Sequence, residues 1–352
     1  MKARTDDLRI LRVRPLLSPA VLEEDLPLPE ASAALVDGAR RDIEQILFAS
    51  DPRLLVIVGP CSIHDPVAAI EYAERLRAVM PAHTEALRIV MRVYFEKPRT
   101  VVGWKGLIND PDLDGSYHIN RGLRIARKLL LDITALGVPV GTEFLDTTLG
   151  QFYTDTVSWG AIGARTAESQ IHRQLVSGLS MPVGIKNRTD GNVEVAVDAV
   201  VASRHRHLFP SLTKEGAPAI LETRGNETAH LVLRGGNVSG PNYSAAAVRK
   251  AVSMLAERGL PEVVVVDCSH GNAQKQPARQ REVAFDIAAQ LESGNCPIRG
   301  VMLESHLVGG RQDHVTGQPL VFGQSITDAC LSFDETLPIL ERLSEAVSRR
   351  SQ

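Results

Sequence analysis

The chain has 352 residues, a formal net charge of -3 and an apolar fraction of 44%. That is enough for one large α/β domain with a sizeable core, and the near-neutral balance leaves no basic footprint for nucleic acid. No apolar stretch reaches membrane-spanning length, and MKARTDDLRILRVRPLL lacks the apolar centre of a signal peptide. Cys61, Cys268, Cys296 and Cys330 have no CxxC spacing, so a reduced, soluble, cytoplasmic chain without membrane or nucleic-acid partners is expected.

Residues 1–53 form an N-terminal extension: Pro-punctuated coil (RPLLSPAVLEEDLPLPE), then a helix in ASAALVDGARRDIEQIL. From residue 54 one pattern recurs to the end, an apolar strand followed by a polar loop and an amphipathic helix. The strands are continuous and rich in Val and Ile, as parallel strands buried on both faces require. They are expected at Leu54–Val58, Ile89–Tyr94, Pro139–Glu143, Ala161–Ala164, Val183–Lys186, His230–Arg234, Val263–Asp267 and Gly300–Glu304. Between them GLRIARKLLLDITALG and SAAAVRKAVSMLAERG read as helices that stop at Gly137 and Gly259. LFPSLTKEGAPAILETRG reads as a hairpin over about 207–224, with Lys214, Glu215 and Gly216 in its turn, interrupting the fifth strand-helix unit. The expected architecture is a (β/α)8 TIM barrel over 54–352 carrying the extension and the inserted β-hairpin. Such barrels place their sites at the strand C-termini. A doubly wound open sheet competes, but it would have to gather all the strand-end loops at one crevice.

The loops that follow the strands carry the chemistry. Cys61, His270, Glu304 and Asp328 supply a thiolate, an imidazole and two carboxylates, a mixed set that accepts a divalent manganese, iron, cobalt or zinc ion. A lone strand-end Cys is usually a small buried residue; DCSHGN and LESH, at adjacent strand ends, make the set more persuasive than its members. Arg92, Lys97, Arg99, Arg165, Lys186 and Arg234 are too many cations for an uncharged substrate. Guanidinium forks hold phosphates and carboxylates in bidentate fashion. Any one of them could be a surface ion pair, yet MRV, GIK and VLR set them directly after buried strand residues. No GxxxxGK[ST] loop, GxSxG elbow or Ser-His-Asp order is present.

At GPCSIHD, RVYFEKPRTVVGWKGLINDPDLDGS, GAIGARTAESQIHRQLVSGLSMPVGIKNRTDG, HLVLRGG, SHGNAQKQ, GVMLESHLVGG and SITDAC the chain resembles class I 3-deoxy-D-arabino-heptulosonate 7-phosphate (DAHP) synthases of the microbial feedback-regulated type. The likeness runs over essentially the whole chain. It implies a metal-dependent, aldol-like condensation of phosphoenolpyruvate with D-erythrose 4-phosphate, which opens the shikimate route to aromatic amino acids. It implies Cys61, His270, Glu304 and Asp328 as metal ligands. It implies Arg92, Arg165, Lys186, Arg234 and the Ala164 amide around phosphoenolpyruvate, Arg99 and Thr100 on the aldose phosphate, and Lys97 beside the reacting aldehyde. Arg188, where the family often has Gly, and CLSFDET, where a Gly-Trp is common, depart from the pattern without touching these residues.

The same resemblance implies an aromatic amino-acid effector bound near Asp146, Gln151, Leu175, Leu179, Ser180, Phe209 and Ser211. Ser211 favours phenylalanine, while Gly150 stands where Pro is frequent. It also implies a homodimer or homotetramer. Two other readings stay open: a related synthase using arabinose 5-phosphate, which usually lacks the extension and hairpin, and a non-catalytic amino-acid-binding barrel. KPRT with GWKG favours the four-carbon sugar.

Overall fold

The computed structural model describes residues 5–350 apart from Thr100, Val102, Asn295 and Thr316. Eight parallel strands form one closed ring: β1 (Leu54–Gly59), β2 (Leu87–Arg92), β3 (Val140–Glu143), β4 (Trp159–Ile162), β5 (Val183–Lys186), β6 (His230–Leu233), β7 (Val264–Asp267) and β8 (Ile298–His306). Each pairs with the next, and β1 closes on β8 with Leu55 opposite Gly300 and Gly59 opposite Glu304. The open-sheet alternative is thereby excluded. Strand residues alternate between two layers, as a pleated strand demands. Leu55, Ile57, Val90, Trp159, Ala161, Val232, Val265 and Met302 fill the barrel. Leu54, Val56, Val58, Ile89 and Met91 face the surrounding helices.

In the extension, α1 (Pro19–Asp25) breaks what reads in sequence as plain coil. Ser18 caps it and Pro19 opens it, a start signal that the neighbouring prolines obscure. The second helix, α2 (Glu30–Phe48), places Ile43, Ile46 and Leu47 in the same apolar cluster as the barrel interior. The i, i+3, i+4 spacing puts these three on one face, so the extension contributes directly to the core.

Helices α3 (Pro66–Val79) and α4 (Ile119–Ala135) follow β1 and β2; α5 (Gln170–Gly178), α6 (Glu194–Ser203), α7 (Ala245–Glu257), α8 (Arg279–Glu292) and α9 (Phe333–Arg350) follow β4 to β8. The third connection differs: among its residues only two short 3-10 turns occur, Leu149–Phe152 and Thr154–Thr156. Its sequence DTTLGQFYTDT is too short and too rich in Thr, Asp and Gly for a full helix. The hairpin pairs Leu208–Leu212 with Pro218–Glu222, and Gly216 takes φ +82 in its turn. It lies after α6 and before β6, so the fifth strand-helix unit is complete and the insertion sits between units.

Candidate active site and a second cavity

Strand register sets the site. Because Gly59 lies beside Glu304, Cys61 emerges next to that carboxylate. Because Met302 lies beside Asp267, the 268–272 loop emerges at the same rim. After β8 the chain makes an excursion and returns to pair Leu331 and Ser332 with Ser305 and His306, which brings Asp328 over the mouth. Ser62 and Thr327 hydroxyls meet at 2.7 Å and tie that loop down. The result is a cavity of about 430 Å³ lined by Lys97, Arg99, Ala164, Arg165, Lys186, Arg234, His270, Glu304 and Asp328, with others.

Cys61, Glu304 and Asp328 each offer a donor atom, and these atoms all lie within 4.8 Å of one another. The Cys61 Sγ is 3.5 Å from Asp328 Oδ2. His270 is outside that tight trio, with Nε2 3.7 Å from Glu304 Oε1. Its φ of +51 is unusual for a residue with a side chain. Its Nδ1 is engaged by the Ser269 hydroxyl at 2.6 Å and by Asp267 at 2.9 Å, leaving Nε2 toward the carboxylate. One sulfur, two carboxylates and an oriented imidazole suit a borderline-soft divalent cation, so the donor set fits the metal that the sequence implies.

Lys97 Nζ lies 2.9 Å from Cys61 Sγ and 3.1 Å from the Cys61 carbonyl. Burial and the nearby Glu304 push the Cys61 thiol up to about 11, with Lys97 pulling the other way. Burial works against the Lys97 charge, but Cys61, Glu304 and Asp328 outweigh it and hold the ammonium above its ordinary range. Lys186, 3% exposed, pairs with Asp267 at 2.9 Å. Burial pushes Asp267 upward, yet Lys186 and His270 hold it well below the usual carboxylate range. Burial lowers Arg234, and Arg165 is close enough to lower it further. Like charges kept together in a half-enclosed mouth call for an anion between them.

Arg92 stands apart from this lining. It is 1% exposed, its Nη2 bonds Glu304 at 3.0 Å, and its guanidinium stacks over Tyr94 at 4.0 Å. It lies beneath the cavity with Cys61. Thr100 lies outside the described residues. Sequence reasoning missed Asp267, Glu143, Lys275 and Arg311. Asp267 had a signal, since DCSHGN places it three residues before His270 at a strand end. Gly235 and Gly271 explain how the loops after β6 and β7 come so close: a Cβ on Gly235 would lie 2.5 Å from the Asn272 nitrogen.

A second cavity, about 410 Å³, lies between the third connection, the end of α5 and the hairpin. Gln151, Leu175, Leu179, Ser180, Phe209 and Ser211 line it, together with Gly150. Asp146 is not in its lining; its carboxylate accepts from Thr148 N at 2.7 Å and Leu149 N at 3.2 Å.

A closed (β/α)8 barrel with a sulfur–carboxylate donor set and clustered cations at its strand C-termini defines a lyase- or transferase-type enzyme acting on anionic substrates. The profile of the DAHP synthetase I family matches residues 30–341, and the chain belongs to that family. A Trp-sensitive phospho-2-dehydro-3-deoxyheptonate aldolase of Enterobacter agglomerans is 54% identical over 347 residues, covering 99% of each chain. A Phe-sensitive one of Escherichia coli K12 is 53% identical over 350 residues, with the same coverage. The solved structure of the Francisella tularensis aldolase of this name superposes with a TM-score of 0.95 at 50% identity, covering 97% of this chain and 99% of that one. The chain is thus a transferase of the first shikimate-pathway step, joining phosphoenolpyruvate to erythrose 4-phosphate. Among the described residues no helix is long and apolar enough to cross a membrane.

Proposed function

We propose the following division of labour for that condensation. Arg165, Lys186 and Arg234, with the Ala164 amide, hold phosphoenolpyruvate, and Arg92 adds its charge from beneath. Arg99 and Thr100 hold the aldose phosphate. Cys61, His270, Glu304 and Asp328 would hold the divalent ion (manganese, iron, cobalt or zinc), which when bound supplies Lewis-acid polarisation of the aldehyde oxygen. Fixing two anions against their repulsion brings phosphoenolpyruvate C3 to the aldehyde carbon. Water adds at C2, and phosphate departs by C–O cleavage. Lys97 Nζ, charged and adjacent to the donor set, delivers a proton to the alkoxide oxygen left on the former aldehyde carbon, which becomes the new hydroxyl.

One observation carries this reading: the donor trio and the anion-binding cations line one mouth, with Lys97 between them. Turnover is measured with erythrose 4-phosphate and arabinose 5-phosphate, after chelation and after adding back each ion. Preference for the five-carbon sugar, or a Lys97→Ala variant as active as the parent, overturns it.

The second cavity is the effector site in this proposal, with Gln151 and Ser180 beside an apolar wall of Leu175, Leu179 and Phe209. Ser211 favours phenylalanine. A tryptophan reading has its own support: Gly150 presents no side chain, and several relatives carry Trp-sensitive names. Inhibition curves with Phe, Tyr and Trp separate the two. Residues 54–352 are assigned to catalysis, and residues 1–53 with the hairpin to regulatory and subunit contacts in a homodimer or homotetramer. Sedimentation analysis tests the assembly.

A further inference from the structure

At the mouth, β8 outruns one of its neighbours. Its pairing with β7 ends where Met302 lies beside Asp267, with a last bond from Cys268 N to the Met302 carbonyl at 2.8 Å. On the other side β1 goes further, and Gly59 still lies beside Glu304. Backbone groups of a parallel strand turn alternately to its two neighbours. Those of Glu304, two residues past Met302, therefore point toward β7, which has already stopped. Glu304 is 2% exposed, and its carboxylate belongs to the donor trio. Without substitutes for the missing strand, its N–H and C=O would be buried and unpaired.

Gln280 meets both groups. It sits in the first turn of α8 and is 1% exposed. Its Oε1 accepts from Glu304 N at 2.8 Å, and its Nε2 donates to the Glu304 carbonyl at 3.0 Å. The side chain thus supplies one acceptor and one donor, as a further peptide of β7 would have done. A carboxamide carries both in one plane; a carboxylate of the same shape offers no donor, and an alkyl chain offers neither.

A strand end held on one side can twist, and its side chains swing with it. Held by β1 and by Gln280, the Glu304 backbone keeps one direction, and its carboxylate stands 3.0 Å from Arg92 Nη2 and 3.7 Å from His270 Nε2. Gln280 also closes the segment that opens at His270. That segment is tightly turned, with φ of +51, +50 and +60 at His270, Gln274 and Lys275. Such backbone persists where its surroundings dictate the path, and the two bonds to Glu304 are one such hold. A single stretch of chain therefore brings one donor to the mouth and aligns another. We propose that Gln280 is a positioning residue of the metal centre: its carboxamide stands in for the missing peptide of β7 and aims the Glu304 carboxylate at the divalent ion. The proposal rests on the reading of Glu304 as a ligand.

The test titrates manganese(II) calorimetrically into the chelator-treated parent, Gln280→Met, Gln280→Glu and Glu304→Ala proteins. Gln280→Met keeps the shape and loses both bonds. It should bind manganese about 10- to 100-fold more weakly, the usual effect of disturbing the groups that support a ligand. Gln280→Glu keeps the acceptor but sets oxygen against oxygen at the Glu304 carbonyl, and should weaken binding at least about tenfold. At saturating manganese, KM for phosphoenolpyruvate in Gln280→Met should stay within about twofold while kcat falls, since the substrate cations are untouched. With cobalt(II) as the probe, the visible ligand-field bands of Gln280→Met should change while the sulfur-to-cobalt charge-transfer band persists. That pattern separates a displaced carboxylate from a lost site. A purely structural Gln280 would lower thermal stability and leave manganese affinity and the cobalt spectrum parental, and that result overturns the proposal. If Gln280→Met does not fold, Gln280→Glu decides by the same criterion. If Glu304→Ala binds manganese like the parent, the ligand reading of Glu304 fails and the proposal with it. Weakened binding in Glu304→Ala beside parental binding in the Gln280 variants overturns the positioning role alone.

Discussion

The two cavities are built by different means. At the barrel mouth, residues from seven strand ends are fixed by the register of a closed sheet, and buried charges are matched, as Lys186 is by Asp267 and Arg92 by Glu304. The second cavity is walled by parts the barrel does not need. Its 3-10 turns are held from outside by side chains. Arg127 grips Asp155 through two bonds at 2.7 and 2.8 Å and takes the Phe152 carbonyl at 3.0 Å; Arg40 takes the Thr154 and Val157 carbonyls at 2.7 Å. A register cannot slip by a fraction, so the strand ends that carry the mouth keep fixed relative positions. Loops pinned by side chains change at lower cost than a strand register, which is what the proposed effector role of this cavity would require.

The comparison breaks first at the mouth. Cys61→Ala should abolish stoichiometric metal uptake and lower turnover by more than about 100-fold, since removing a ligand costs at least as much as disturbing its supporting shell. Elemental analysis alongside kcat checks both; full metal content with normal turnover would remove Cys61 from the donor set. Asp267→Asn should destabilise the fold by about 3 kcal/mol in denaturant titrations, because Lys186 is left buried and uncompensated. A change under about 1 kcal/mol would mean that the charge escapes to solvent.

Between the two regions, Glu96 gives a pH signature. Burial and the nearby Asp146 push its folded value up to about 8, above its ordinary 4.5, so the folded state holds a proton that the unfolded chain has released. Stability therefore falls as pH rises from about 5 to 8, by up to about 1.4 kcal/mol per unit from this group, and levels off above. Glu96→Gln should remove that part of the slope. Parallel stability–pH curves for variant and parent across this window would show that Glu96 stays ionised in the fold.

The mouth was legible because each part leaves a mark in the chain. Buried parallel strands write continuous Val/Ile runs, and a cation or ligand directly after such a run has no bland place to go. Thus Lys186 after VGI and Glu304 after VML were readable, and the two helix ends at Gly137 and Gly259 take φ +82 and +65 as C-terminal stops do. Asp267 was not singled out, since as the last residue of VVVVD it reads equally as a turn signal. Arg92 was readable as a cation but not as a floor residue, because its depth depends on Glu304 across the barrel. The third connection was harder. DTTLGQFYTDT has neither period, and its conformation comes from Arg40 and Arg127, more than twenty residues away. Asp146 illustrates the limit: it belongs to the right segment, yet it spends its carboxylate on local amides.

The smallest effect is expected at Lys214, in the hairpin turn. Its Nζ reaches Glu23 of α1 and the Gln151 carbonyl, both at 2.5 Å, while its own carbonyl accepts from Ala20 N at 2.7 Å. One residue thus joins the extension, the hairpin and the cavity wall. Its side chain is 38% exposed, so solvent screens the pair, and Lys214→Met, which keeps the aliphatic stem, should cost only about 0.5 kcal/mol of stability. The same change frees the Gln151 carbonyl on the cavity wall. The half-inhibitory amino-acid concentration should therefore rise about two- to threefold, as a few tenths of a kcal/mol implies, with kcat and both KM values unchanged. A shift in KM with no shift in inhibition would place Lys214 on the catalytic side and erase the separation between the two cavities.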